Sequence, residues 1–246
     1  MPLNNSYDEQ EVVKAIAIAL ESFYTNLIEK IDGLNIKKVM KRKNPYLYRA
    51  KAMQSASEIV ESVLTAFVSS SEETIFGNCF FEPIAIAASG GNKALAEGID
   101  IMIQDNATNT ISAIAVKSGP SVFNADSKKR QEQNFIAASK LAKQAKARYE
   151  AYIGYCYGKK KDSGRGKPKM YQELAGKRFW AELTGDEDFY IKIIGYMGTM
   201  PEKYVADYKE SYNKAANRLV REFSNSFCEE DGSIDWKKLV EFNSGD

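Results

Sequence analysis

Two charged side chains stand where charge is costly. Asp100 lies in the β-branched run Gly98-Ile99-Asp100-Ile101-Met102-Ile103, and Lys117 ends the run Thr110 to Lys117, with residues 101 to 116, 16 positions, between them. Their neighbours Ile99, Ala115 and Val116 are of the buried type, and an unpaired charge among such residues is unfavourable. A carboxylate can hold a hard divalent cation against a phosphate, and a nearby ammonium can orient an attacking water and stabilise developing charge. Asp100 and Lys117 together suit metal-assisted phosphodiester hydrolysis. The spacing alone is a weak signal, because acid and base pairs of this kind are common.

Composition narrows the choice. The 246 residues contain no histidine, which excludes His-dependent triads, His-liganded metals and imidazole acid-base pairs. Carboxylates, lysine and an oxygen-liganded metal remain. Cys79, Cys156 and Cys228 lie far apart without a CxxC pair, which suits a reducing cytoplasm and small apolar roles better than a disulfide framework or zinc. With 34 basic and 33 acidic residues the formal charge is +1, so any charge that attracts nucleic acid must be local. The acidic helical pattern of the first thirty or so residues is neither a signal peptide nor a membrane span, and no later apolar run is long enough to span.

The elements that must position the pair read as follows. Helical spacing of Val12, Ile16, Leu20, Phe23 and Leu27 predicts an amphipathic helix from Asp8 to about Ile31, ended by Asp32-Gly33. A break at Asn44-Pro45 precedes a helix from Ala50 to Val68. Ser69-Ser70-Ser71-Glu72 reads as the cap of another, about Glu72 to Ala87. The runs carrying Asp100 and Lys117 form a hairpin about the turn Gln104-Asp105-Asn106. A helix from Asp126 to Glu150 and a strand from Ala151 to Tyr157 then suggest a crossover onto a mixed sheet. Helices open at Gly176, run from Tyr204 to Phe227, and close the chain from Ile234 to Phe242. Without a repeat or clear linker, one domain over 1–246 is expected: a helical part over 1–70, a catalytic core over 72–157, and a basic loop with C-terminal helices over 158–246.

Two segments carry local positive charge. Lys159, Lys160, Lys161, Arg165, Lys167 and Lys169 lie among glycines in a stretch that can track a phosphate backbone, with Arg165 able to fork onto guanine. Ser118, Ser121 and Asn124 can hydrogen-bond bases or phosphates, and Lys128, Lys129 and Arg130 can neutralise backbone charge. A solvated helix face or solubilising loop is the plainer account of both segments. Phe179 and Trp180 read as core.

Ordered motifs from residue 44 to 243 resemble the PmeII-type family of type II restriction endonucleases, within the PD-(D/E)xK superfamily. They include Asn44-Pro45-Tyr46-Leu47-Tyr48-Arg49, Glu72-Glu73-Thr74-Ile75-Phe76-Gly77-Asn78, Glu97-Gly98-Ile99-Asp100 and Val116-Lys117-Ser118-Gly119-Pro120. Tyr155-Cys156-Tyr157-Gly158, Gly176-Lys177-Arg178-Phe179-Trp180 and Asp231-Gly232-Ser233-Ile234-Asp235-Trp236 continue the series. The resemblance implies a mixed α/β fold: a central mixed β-sheet flanked by helices, with N- and C-terminal helical additions. It also implies Mg²⁺-dependent cleavage of double-stranded DNA at a short palindromic site, a homodimer, a cognate DNA methyltransferase as genetic partner, and a prokaryotic cytoplasm.

By motif, Asp100 becomes the metal ligand and Lys117 the catalytic lysine, with Glu97 and Ser118 as neighbours. The superfamily's second acid stands two residues before the lysine, where this chain has Ala115. Either another carboxylate, Glu82 or Glu97 ahead of Glu132, serves instead, or the metal relies on Asp100, phosphate, water and the Val116 carbonyl. Another PD-(D/E)xK nuclease of repair or of a mobile element, or an inactive DNA-binding protein, would share these features.

Overall fold

A computed structural model describes residues 3, 6–160 and 170–245. The elements in chain order are α1 (Glu9–Asp32), α2 (Ile36–Met40), α3 (Pro45–Ala50), α4 (Ala56–Cys79), α5 (Phe81–Ser89), β1 (Asn92–Lys93), β2 (Ile101–Asp105) and β3 (Thr110–Lys117). They continue with α6 (Ala125–Gln144), β4 (Arg148–Tyr155), β5 (Gln172–Ala175), α7 (Lys177–Thr184), α8 (Phe189–Met197), α9 (Glu202–Phe227) and α10 (Trp236–Ser244). The chain divides into two compact units, one of Met1–Glu21 with Phe76–Pro201 and the other of Ser22–Ile75 with Glu202–Asp246. This is the mixed α/β architecture expected, and among the described residues no helix is long and apolar enough to cross a membrane.

The first unit holds a five-stranded sheet in the order β1-β2-β3-β4-β5. β1, β2 and β3 are antiparallel neighbours, whereas β3/β4 and β4/β5 are parallel. A parallel neighbour requires a crossover, and α6 supplies it between β3 and β4. Ala113, Ile114, Ala115 and Val116 are all buried because β3 is central and covered on both faces: α6 packs against β3 and β4, and α5 against β2 and β3. Strands buried on both faces read as continuous apolar runs. The alanines leave room for Phe135 of α6, which packs with Ile99, Ile153, Tyr155 and Tyr171. Burying each such large side chain contributes about 1.5–3 kcal/mol.

The second unit is helical. Along α9, Ser211, Ala215, Leu219, Phe223 and Phe227 recur every fourth residue and are all buried, a single stripe on one face. Ser211 donates to Asp32 Oδ1 at 2.7 Å, and the Arg218 guanidinium donates to the carbonyls of Leu34 and Asp32 at 2.7 and 2.9 Å. The Asp32 carbonyl orphaned at the end of α1, and the Leu34 carbonyl just beyond it, are thereby satisfied.

Several expected boundaries move. Ser69-Ser70-Ser71-Glu72 does not cap a new helix but lies inside α4, where Ser71 is buried and Ser70 offers its carbonyl to the Thr74 hydroxyl at 2.9 Å. The break falls at Phe80 instead. Ala50 ends α3 rather than beginning a long helix, and Ala52 at φ +54° breaks the chain before α4. Asp100 precedes β2 instead of lying within it, although its amide donates to Ile114 O at 2.9 Å and so prolongs the ladder. β4 begins at Arg148, within the segment read as helix, because Lys146 at φ +55° ends the turn after α6. The short elements α2, α3, β1 and β5, and α8, carry too little periodicity to stand out in the sequence.

Candidate active site

Asp100 is delivered by a tight turn. Gly98, at φ +69°, takes a conformation that a side chain would strain, and a Cβ there would meet the Asn134 amide of α6 at 2.1 Å. Gln131 of the same helix fixes this turn by donating to Gly98 O at 2.7 Å. The carboxylate then faces the end of β3: its Oδ2 accepts from the Val116 amide at 2.6 Å and from Lys117 Nζ at 3.3 Å. Lys117 Nζ also donates to Val116 O at 2.9 Å. The hairpin thus brings together the aspartate and lysine expected from the sequence, with side-chain exposures of 22% and 26%. That is buried enough to strengthen their interaction and open enough for a substrate to reach them.

The donor set suits a hard cation. Carboxylate and carbonyl oxygens are the ligands that Mg²⁺ and similar ions prefer, and Asp100 and Val116 present one of each side by side. Among the described residues no group of three or more Cys, Asp and Glu side chains gathers as a metal site. Phosphate and water would therefore have to complete the shell. Ala115, the position of the missing second acid, is 0% exposed and packs in the apolar cluster with Ile99, Phe135 and Ile153. Core packing fills that place.

The other expected acids are engaged elsewhere. Glu82 pairs with Lys93 at 3.1 Å, and Glu97 pairs with Arg130 at the surface, where both side chains are 72% exposed. Among the described residues no hydrogen bond or ion pair joins either acid to Asp100 or Lys117. Asn124 is the N-cap of α6: its side-chain oxygen accepts from Ser127 N at 2.8 Å, and Ser127 Oγ accepts from Asn124 N at 3.0 Å. Ser118 packs where a Gly77 Cβ would come within 3.2 Å of its hydroxyl, while Ser121, Lys129 and Lys159 are exposed. Lys161, Arg165, Lys167 and Lys169 lie outside the described residues. Cys156 donates its amide to Lys117 O at 2.8 Å, and burial pushes its thiol well up, with Lys117 opposing and Asp100 adding to that rise. A thiol so placed stays protonated near neutral pH and is no nucleophile.

One group beside the pair has no signal in the sequence. Tyr155, the register partner of Lys117, donates its hydroxyl to Glu173 of β5 at 2.9 Å. Glu173 is only 7% exposed and receives two lysines, Lys160 in a short ion pair and Lys128 at 3.5 Å. Next to it Tyr171 donates to Glu132 at 3.0 Å. Burial, and then the carboxylate each one faces, pushes the Tyr155 and Tyr171 hydroxyls up, so they act as donors. Two lysines expected at a DNA backbone are thus held by one buried carboxylate. The sequence hides it because β5 has four residues and Glu173 looks like any polar strand position.

No curated protein sequence matches the chain. A model of the family described as type II restriction endonuclease EcoO109I matches residues 10–204, most of the chain, including Asp100, Lys117 and Glu173. The chain belongs to this family of type II restriction endonucleases and is a site-specific deoxyribonuclease.

Proposed function

We propose that the enzyme cleaves double-stranded DNA at a short palindromic site with Mg²⁺ held by Asp100 and the Val116 carbonyl, and that it works as a homodimer. The observation that carries this is the closed arrangement of Asp100, Val116 and Lys117 at the end of β3. Bound there, Mg²⁺ would supply the positive charge that offsets charge building on the scissile phosphate. The Lys117 ammonium, anchored on Val116 O, presents its remaining N–H to the attacking water or a phosphate oxygen. Glu82 and Glu97 remain candidates for the second acid, each only by leaving its present cation.

Lys128 and Lys160, preset by Glu173, contact the backbone beside the cleaved phosphate, aided by Ser118, Ser121, Asn124, Lys129, Arg130 and the Lys159 to Lys169 segment. The narrower likeness to PmeII-type enzymes belongs to the same reading. So do a prokaryotic cytoplasm and a cognate DNA methyltransferase that protects the host's own sites. Plasmid DNA with Mg²⁺ tests it: discrete fragments are expected, and Asp100→Ala should abolish cutting while DNA binding persists. Undiminished cutting by that variant would refute the assignment of the site.

A further inference from the structure

The helical unit carries a basic concentration that the catalytic pair does not use. Lys37, Lys38, Lys41, Arg42 and Lys43 fall within seven consecutive residues, five cations against a whole-chain charge of +1. α2 and the turn after it fold part of this run around a cavity of about 580 Å³. Lys30, Lys38, Arg42 and Lys43 line it, Leu34 and Phe67 contribute apolar surface, and no aspartate or glutamate does. Among the described residues none of the four cations is held in an ion pair. Four like charges around one cavity repel one another, and only an anion relieves that repulsion.

We propose that this cavity is a second DNA-binding site, taking a backbone phosphate on its cations and the adjoining sugar or base on its apolar wall. The inference rests on the reading of the chain as a DNA-cleaving enzyme. Phosphate contacts of this kind fix register and add affinity without reading sequence. A near-neutral enzyme gains that affinity only by grouping its cations locally, as here. The four cations are in contact with solvent, so replacing them leaves the packing of α2, α4 and α9 undisturbed.

The test is the full chain carrying Lys38→Gln, Arg42→Gln and Lys43→Gln together, with binding of a labelled random-sequence duplex measured across a salt series without divalent metal. Each lost phosphate contact lowers the slope of log affinity against log salt by about 0.9, so loss of the one phosphate held here should lower it by about 1, with roughly tenfold weakening. A control with Lys203→Gln, Lys209→Gln and Arg221→Gln on α9 removes the same charge elsewhere and should cost much less. Unchanged binding and slope in the cavity variant, with wild type binding normally, overturns this inference alone. An equal loss in the control reduces it to bulk charge and also overturns it. If wild type binds no duplex, the functional reading falls as well. Tight, stoichiometric binding of ATP at the cavity, lost in the variant while duplex binding is kept, would assign the cations to a free nucleotide and overturn the DNA assignment.

Discussion

Lys117 donates two hydrogen bonds that methionine cannot make, one to the Asp100 carboxylate and one to the carbonyl beside it. Lys117→Met should lower kcat about 10²–10³-fold with little change in DNA affinity, the pattern of a group that acts on charge in the transition state. Single-turnover cleavage alongside a binding titration would show it, and a change confined to affinity would remove Lys117 from the chemistry. Cys156 gives a pH-dependent check on the same neighbourhood. A thiol whose pKa is raised carries less thiolate at any given pH, so Cys156 should resist alkylation at about pH 8 until the protein unfolds. Modification of Cys156 in the native enzyme would mean that the end of β4 is open. Asp100 and Lys117 were legible because charge among apolar neighbours is unusual. Glu173 was not, since its burial comes from strands that meet only in the fold.

Elements were legible in proportion to their length. α1, α9 and the hairpin of β2 and β3 repeat their periods often enough to be read directly. The start of β4 is hidden in the sequence because Arg148, Tyr149 and Glu150 directly follow an Ala- and Lys-rich helical stretch, and it is pairing with Thr110, Ile111 and Ser112 that makes them a strand. Tertiary pairing outweighs local preference there. Gly154 shows how closely the layers then meet: a Cβ on it would stand 2.0 Å from the Phe179 ring of α7. Gly154→Ala should destabilise the protein by about 1–3 kcal/mol, read as a lower urea midpoint with an unchanged slope. An unshifted midpoint would mean that α7 does not press on β4. The same strand holds Tyr149, whose hydroxyl is buried without a hydrogen-bond partner among the described residues. Tyr149→Phe should therefore be neutral or stabilising, by up to about 1 kcal/mol in the same titration, and a clear loss would show that the hydroxyl has a partner.

At the scale of the whole molecule, each chain supplies one Asp100 and one Lys117, while a duplex has two strands to cut. A palindrome presents the same backbone twice about a two-fold axis, so two copies related by that axis can place one pair on each strand. The free enzyme should then sediment near twice the chain mass of 27.5 kDa, about 55 kDa. Neither chain length nor composition bears on the proposed dimer, because an isologous surface has no fixed sequence signature. Mixed dimers test the division of labour more sharply than mass does. When wild-type chains exchange with an excess of Asp100→Ala chains, most wild-type chains sit in dimers with a single competent site. Supercoiled plasmid should then accumulate as nicked circles instead of passing directly to the linear form. If the mixture linearises plasmid as efficiently as the same number of wild-type chains alone, one chain cuts both strands, and the two-fold arrangement is wrong even though the Asp100 site stands.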